Sequence, residues 1–496
     1  MTTIGDIAEI ISTQRLVPGT YNKFDPSNAI RKPREMPRSL CLFGQIKNPL
    51  FNQGLFNTRI AITSEADAKG LFGQGSMLHH MWVAAKKNAG LGLRIYCVPL
   101  QDDPTATANV RTITVTANAA HSEGELAFYI AGTRIGVGVV AADTGISIAA
   151  KLFGKINKDN NLPVTATLAG AVITLTAKFK GPLGGMIDLR QLHYSDDRFV
   201  TGVGLAIASV TAGAVNPNLT AAITNMRNVR DTEWVMPYTD SASMTMVEAE
   251  LLRRWSHEVQ TDVQCIVAMR GSEAVHTTWL NTRNSPLVHS IHTTQDLTSP
   301  WVTAAIVGAV IESMAMLNPC TPHTGAALVG YVAAQQKNHF EAESINNIML
   351  AGGSSITVAE DGTAVLMRMV TNYTTHNTGA YDTSMRELTW IKDLSWFRWY
   401  RNAEFNIKSQ GFLLGEYAET IPGQKIMTYQ VAEDMLLGIY DGAIGIARMQ
   451  NRDWYQKSLV LQIDGAQGRL KVKDQPVLMN ALYQTAITSE WAAGHV

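Results

Sequence analysis

The residues with the most chemical potential in this chain are four histidines. His79 and His80 are adjacent, and His289 and His292 are three positions apart. Metal coordination needs converging ligands, usually with carboxylates or thiols at helical spacing. Neither pair has them, and in a strand His289 and His292 fall on opposite faces. All four read as ordinary surface or interface histidines, so no metal is assigned. Gly73-Gln74-Gly75-Ser76 precedes a helical stretch whose first amides could cradle an anion. The phosphate-loop pattern GxxxxGK is absent and no lysine follows at the required place, so a turn with an N-cap is favoured. The glycines at 181–185 and 352–353 read the same way. No GxSxG, HExxH, GxGxxG after a strand, or framed carboxylate pair occurs. No catalytic residue and no cofactor follows from the sequence.

A second constellation is aromatic and basic. Trp390, Trp396, Phe397, Trp399 and Tyr400 lie beside Arg386, Lys392, Arg398 and Arg401. Bases could stack on the rings while the cations meet phosphates. A buried helix with a charged face is the plainer reading, because no basic excess drives phosphate binding. A positive stripe facing a protein partner is the third.

The elements that position these residues alternate. Residues 40–44 form an apolar run ending in glycine, as a buried strand does. A short helix starts near Ser64 and Asp67, a second spans 77–88, and 93–100 reads as a strand. Residues 108–190 are rich in Thr, Ala, Gly and Val, with short alternating runs and one helix over 147–157, which marks a small β-rich module inserted into a larger α/β fold. After Gly213 come helices over 219–228, 241–257, 272–281 and 299–317, with strands over 233–237, 263–269 and 287–292. Strands separated by helices predict a mainly parallel sheet. Residues 355–371 read as a hairpin around Glu360-Asp361-Gly362. Helices over 382–408 and 429–450 and strands over 458–462 and 469–473 follow. Four prolines punctuate residues 1–38, and 482–491 is weakly apolar, so both ends read as extended arms.

The 496 residues suggest about three domains. Lys and Arg total 41 against 42 Asp and Glu, a formal charge of -1, which excludes a global field for nucleic acid. Charged residues make up only 17% and apolar residues 46%. A large chain with few charges has little to keep its copies apart, so much of its surface is expected to be covered by other subunits. Cys41, Cys97, Cys265 and Cys320 are widely spaced and read as small core residues of a protein made in a reducing cytosol. Residues 1–14 lack the basic start of a signal peptide. Residues 301–317 are the best membrane candidate but contain Glu312, so a buried central helix is expected instead.

Several segments together resemble the contractile tail sheath proteins of Mu-like bacteriophages. They are VPGTYNKFDPSNA in the first arm, LCLFGQ, SEADAKGLFGQGSMLHHM and GLGLRIYCVPL, then VTATLAGAVITLTAKFKGPLGGMIDLR in the inserted module. Downstream come WVTAAIVGAVIES, KNHFEAESINNIMLAGGSSITV and VLMRMVTNYTTHNTGAYDTSMRELT. Their order and spacing carry the resemblance along nearly the whole chain.

The resemblance implies an α/β and α+β multidomain protein. An N-terminal arm (1–38) leads to an α/β body (39–107 and 191–323) holding the inserted module (108–190). An α+β C-terminal domain (324–480) with a hairpin and long helices follows, and then a C-terminal arm (481–496). It implies stacked hexameric rings around an inner tail tube, and contraction that drives the tube through the host envelope for genome delivery. Partners would be other copies of the chain, the tube protein, and baseplate and tail terminator proteins, with no nucleic acid and no membrane insertion. The virion tail would be its place, after assembly in the host cytoplasm. Tyr21, Phe24, Tyr483, Ile487 and Trp491 would serve strand addition by the arms. Arg386, Lys392, Arg398 and Arg401 would face the tube. The sheath of a phage-tail-like bacteriocin or secretion device is the alternative within the class. An α/β enzyme holding a phosphorylated ligand at residues 73–76 is the alternative outside it.

Overall fold

A computed structural model describes residues 35–415 and 423–489. At its centre lies an eight-stranded sheet in the order Ala364–Leu366, Ser354–Val358, Val288–Thr293, Gln264–Arg270, Glu233–Val235, Ser39–Gln45, Arg94–Leu100, Ile60–Ala61. All neighbours pair in parallel except the outermost pair at each edge. Parallel strands are covered on both faces, which is why Ser39–Gln45 is buried at every position and reads as one apolar run.

The helix Pro300–Leu317 crosses this sheet at its middle. Proline in its first turn costs no hydrogen bond, and apolar side chains on all sides suit a helix enclosed on all sides. Gly308 lets it approach closely: a Cβ there would lie 3.1 Å from Val235 and 3.2 Å from Leu40. The buried central helix read from the sequence is therefore present. The helix Met77–Asn88 packs beside it, with Ser76 capping its first turn.

Two boundaries differ from the sequence reading. The strand Val203–Thr211 pairs with Ala108–Ala117, so the inserted module runs past residue 190. The bridge between Thr107 and Ala214 closes its neck, each residue donating to the other's carbonyl at 3.2 Å. The missed strand interleaves Val203, Leu205 and Ile207 with Gly204, Ala206 and Ala208, whose small apolar side chains blur the alternation. The hairpin Ser354–Val358 and Ala364–Leu366 belongs to the central sheet and not to a separate C-terminal domain, because Ser354 and Ser355 pair with Ile291 and His292.

The module shares its core with the body. Ile148, Leu152 and Ile156 of helix Gly145–Lys158 cover one of its sheets, and the apolar cluster continues into Pro300–Leu317. Phe179 meets Trp301 edge-on at 5.3 Å between ring centroids.

The C-terminal unit is built on the helices Leu388–Lys408 and Tyr429–Ile444. The first starts six residues later than the sequence suggests. Asp382 accepts from the Ser384 amide at 2.8 Å and from the Tyr373 hydroxyl at 2.6 Å, holding the preceding segment in a turn. Trp396, Phe397, Tyr400, Tyr440 and Tyr455 form the core of this unit, with Tyr440 and Tyr455 stacked at 3.8 Å. Met36, from the start of the described chain, and Leu478, from its end, both pack into this core.

Candidate functional site

The sites an enzyme of this topology would use are closed. In open α/β sheets, ligands bind beyond the carboxyl ends of strands where the strand order reverses. Here that point lies between Ser39–Gln45 and Glu233–Val235. Gln45, almost fully buried, fills it by donating to Asp102 at 2.6 Å and to the Lys180 carbonyl at 2.8 Å. The buried Tyr238 hydroxyl donates to Gln45 Oε1 at 3.1 Å.

The turn at residues 73–76 is equally occupied. Gly73 has φ of +84°, and a Cβ there would lie 2.1 Å from the Lys47 carbonyl oxygen. The Ser76 amide donates to Gly73, the Gly75 amide to His79 Nδ1, and the His79 amide to Ser76 Oγ. Lys178 arrives from the inserted module but donates to the Gln74 and Asn160 carbonyls, at 3.0 and 2.7 Å. Turn and N-cap is what the structure builds.

Three of the four histidines are core residues rather than surface ones. His79, His289 and His292 are buried, and His80 is half-buried. The lone pair of His79 Nδ1 is taken by the Gly75 amide, and His80 Nε2 must donate, because its partner is the Asn161 carbonyl. That pair therefore has no two lone pairs free to converge on a metal. Burial holds His79 and His80 down to about 4, and His289 and His292 well below the usual range, so all four are neutral at pH 7. Among the described residues no cluster of ligating side chains suits a metal.

The four cations read as tube-facing are largely committed within the chain. Lys392 is fully buried, a correction to that reading. Its ammonium lies 2.7 Å from Glu233 Oε2 and 2.5 Å from Glu312 Oε1. Arg398 pairs with Asp262 at 2.8 Å and lies over Trp255, and Arg401 pairs with Asp474 at 2.7 Å. Arg386 donates to the Tyr381 hydroxyl and the Met349 carbonyl. The aromatic rings beside them form a core, so they offer no stacking platform for bases.

Around Lys392 the chain builds a charge cluster that no motif announced. Glu312 also receives Thr232 at 2.6 Å and Arg38 at 3.4 Å, and His289 Nε2 stands 3.3 Å from Glu233 Oε1. Burial pushes Glu233 up despite Lys392. Burial also opposes ionisation of Glu312, but Lys392, Arg38 and the Thr232 hydroxyl outweigh it and hold that carboxyl low. The cluster ties the root of the N-terminal arm, the central sheet, the central helix and the long C-terminal helix at one point.

Surfaces suited to partner chains lie in the C-terminal unit. Val460–Asp464 and Arg469–Lys473 form an isolated antiparallel hairpin with no further strand on either side among the described residues. The two-stranded pair Leu413–Leu414 and Ile426–Met427 is likewise open, with Leu413 exposed. Unpaired edges are templates for an added strand. Tyr483 is anchored on its own chain: Arg368 lies 4.5 Å over its ring, and burial pushes its hydroxyl up to about 12. Ile487 is 80% exposed. Tyr21, Phe24 and Trp491 lie outside the described residues.

No family model matches the chain. The tail sheath protein of the Mu-like prophage FluMu of Haemophilus influenzae is 27% identical to it over 453 residues, covering 90% of this chain and 91% of that one. Among solved structures, the contracted sheath complex of an extracellular contractile injection system matches with a TM-score of 0.50 at 8% identity, over 97% of this chain and 99% of that one. A sheath tail protein from Listeria innocua matches with a TM-score of 0.49 at 11% identity, over 90% of this chain and 93% of that one. The chain is thus similar, along nine-tenths of both chains, to the tail sheath protein of a Mu-like prophage.

Proposed function

We propose that this chain is the repeating subunit of a contractile tail sheath, a component of a phage virion. It polymerises as stacked hexameric rings around an inner tail tube and contracts to drive that tube through the host envelope. The observation that carries this reading is the likeness to a tail sheath protein along nine-tenths of both chains. The chain's own features agree. A heterologous contact whose rotation does not close generates a helical array. Open hairpin edges in the C-terminal unit offer places for strands from neighbours, and main-chain hydrogen bonds tolerate the bland side chains of both arms. A metastable assembled state needs no fuel to contract, which fits a fold whose ligand crevice is filled by its own side chains.

The inner tube, the baseplate and a tail terminator are the other partners of this reading, and assembly takes place in the bacterial host. The related sheath of an injection system shares the fold, so a phage-derived particle is the second reading. Negative-stain micrographs of concentrated purified protein test the proposal. Helical tubes are expected; a protein that stays monomeric at all concentrations, alone and with tube protein, overturns it. Packaged DNA in particles carrying the sheath separates the phage reading from the second one.

A further inference from the structure

The four-stranded sheet of the inserted module ends on two open edges. Its order is Val203–Thr211, Ala108–Ala117, Val172–Lys180, Val164–Ala169, and every neighbouring pair is antiparallel. No strand lies beyond either end among the described residues. Folded chains blunt such edges with charge, proline or shortness. Other sheets of this chain do so. The module's second sheet, Thr133–Val139, Gly124–Ile130, Leu189–Gln191, carries Arg134 and Arg190 on its outer strands. The outermost strands of the central sheet have only three and two residues, and the hairpin 460–473 is charged on both strands. By contrast, Val203–Thr211 has nine residues and Val164–Ala169 six, with no charge and no proline in either. The helix Gly145–Lys158 packs on the other three strands. Residues 206–211 are exposed at every position, with Ile207 at 40% and Val210 at 61%.

We propose that these two edges join: Val203–Thr211 of one copy of the chain pairs with Val164–Ala169 of the next. This pairing rests on the sheath reading, which supplies the second copy, and adds a contact through the inserted module to those of the arms. The strand directions fit. An even number of antiparallel strands leaves the two edges running in opposite senses, so a copy displaced along the sheet brings Val164–Ala169 antiparallel beside Val203–Thr211. The faces fit as well. Ile207, Ile113, Ile173 and Leu168 stand in one cross-strand row, and Ala208, Thr112, Thr174 and Thr167 in the next. A continued sheet keeps the first row's face apolar and the second row's face small and polar. Along Val203–Thr211 the register slips only between Ser209 and Thr211, so residues 203–209 present a regular edge. Pairing Val203–Thr211 with its own copy by two-fold symmetry would leave the second uncharged edge open. The ordinary twist between neighbouring strands turns each copy relative to the last, so the contact is heterologous and propagates.

The test is sedimentation velocity of the full chain over a concentration series. Ala206→Lys with Ala208→Lys places two cations on one edge, and Thr165→Glu with Thr167→Glu places two carboxylates on the other, on the same face of the sheet. All four positions are exposed, so the melting temperature should stay unchanged. Each pair alone should weaken self-association by about tenfold or more. Both pairs in one chain should restore it to within about threefold, because opposite charges then meet across the junction. If a double substitution fails to fold, Ala208→Lys and Thr167→Glu, alone and combined, carry the same test. Unchanged association in folded variants overturns the proposal, as does loss without recovery in the combined variant. Loss with the lysines alone and none with the glutamates overturns it in favour of two-fold pairing. Tubes in micrographs are scored separately. Tubes and unchanged association in every variant sink this contact and leave the sheath reading standing; edge-dependent association without tubes does the reverse. A wild type that stays monomeric at all concentrations overturns both.

Discussion

The Lys392 ammonium lies 2.7 Å from Glu233 Oε2, although 159 positions separate the two residues in the chain. Neither side chain has any solvent exposure. Exchanging a buried ion pair for well-packed apolar groups is often neutral or stabilising. What the pair adds is a penalty for separation, because a lone buried charge is left behind. The long helix is thereby keyed to the central sheet at one position.

Removing one member of that cluster should be severe. Lys392→Met leaves Glu233 and Glu312 facing each other in the core, with Arg38 the one cation still paired to them among the described residues. We expect a loss of about 3–5 kcal/mol in denaturant unfolding of the monomer. A loss below about 1 kcal/mol would mean that water reaches the cluster.

Asp393, next along the helix, gives a pH signature. Burial pushes its carboxyl up to about 7, and Cys320, Arg448 and Arg38 offset this only in part. An acid with a raised folded pKa takes up a proton on folding, so its contribution falls as pH rises from about 4, its unfolded value, through about 7. Asp393→Asn should therefore leave stability at pH 4 nearly unchanged and raise it at pH 8 by on the order of 2–4 kcal/mol. Paired urea melts at the two pH values check this. An equal effect at both would show that the carboxyl is not titrating in that window.

The inserted module should not be removable without cost. Its core runs into that of the body through Phe179 and Trp301. Phe179→Ala should cost about 3–5 kcal/mol in thermal or chemical unfolding. Replacing residues 108–213 by a short Gly/Ser linker should give an unstable or insoluble body, since Trp301 and its neighbours would then face water. A soluble deletion variant with wild-type melting would show that the body closes without the module.

The arms are tested by proline. Tyr21→Pro and Ile487→Pro each remove an amide donor and fix φ. Ile487 is exposed, so its substitution should leave the melting of the monomer unchanged. Polymerisation should fail. Full-length tubes from the double variant would show that body-to-body contacts alone hold the lattice.

Much of the α/β body was legible because buried parallel strands are continuous apolar runs and the helices begin on readable caps. Ser64, Ser76 and Ser272 each accept from an amide of their helix's first turn, and Pro300 opens the central helix. The charge cluster was not legible. Lys392 among aromatics looks like part of a solvated face, and nothing local announces that Glu233 and Glu312 wait for it. The same holds for Arg398 and Asp262, which lie 136 positions apart. The edge hairpin 354–366 was assigned to the wrong unit because proximity in sequence to the long helix says nothing of which sheet a strand joins.

Met36 and Leu478 enter the same small core although nearly the whole described chain lies between them. A pull applied to the two ends is then taken up across that core, where the entering and leaving segments meet. The sheet, the central helix and the inserted module hang from it as a closed loop off the line of tension. A lattice strung through such units would stretch and turn at its joints while its bulk rides along unstrained.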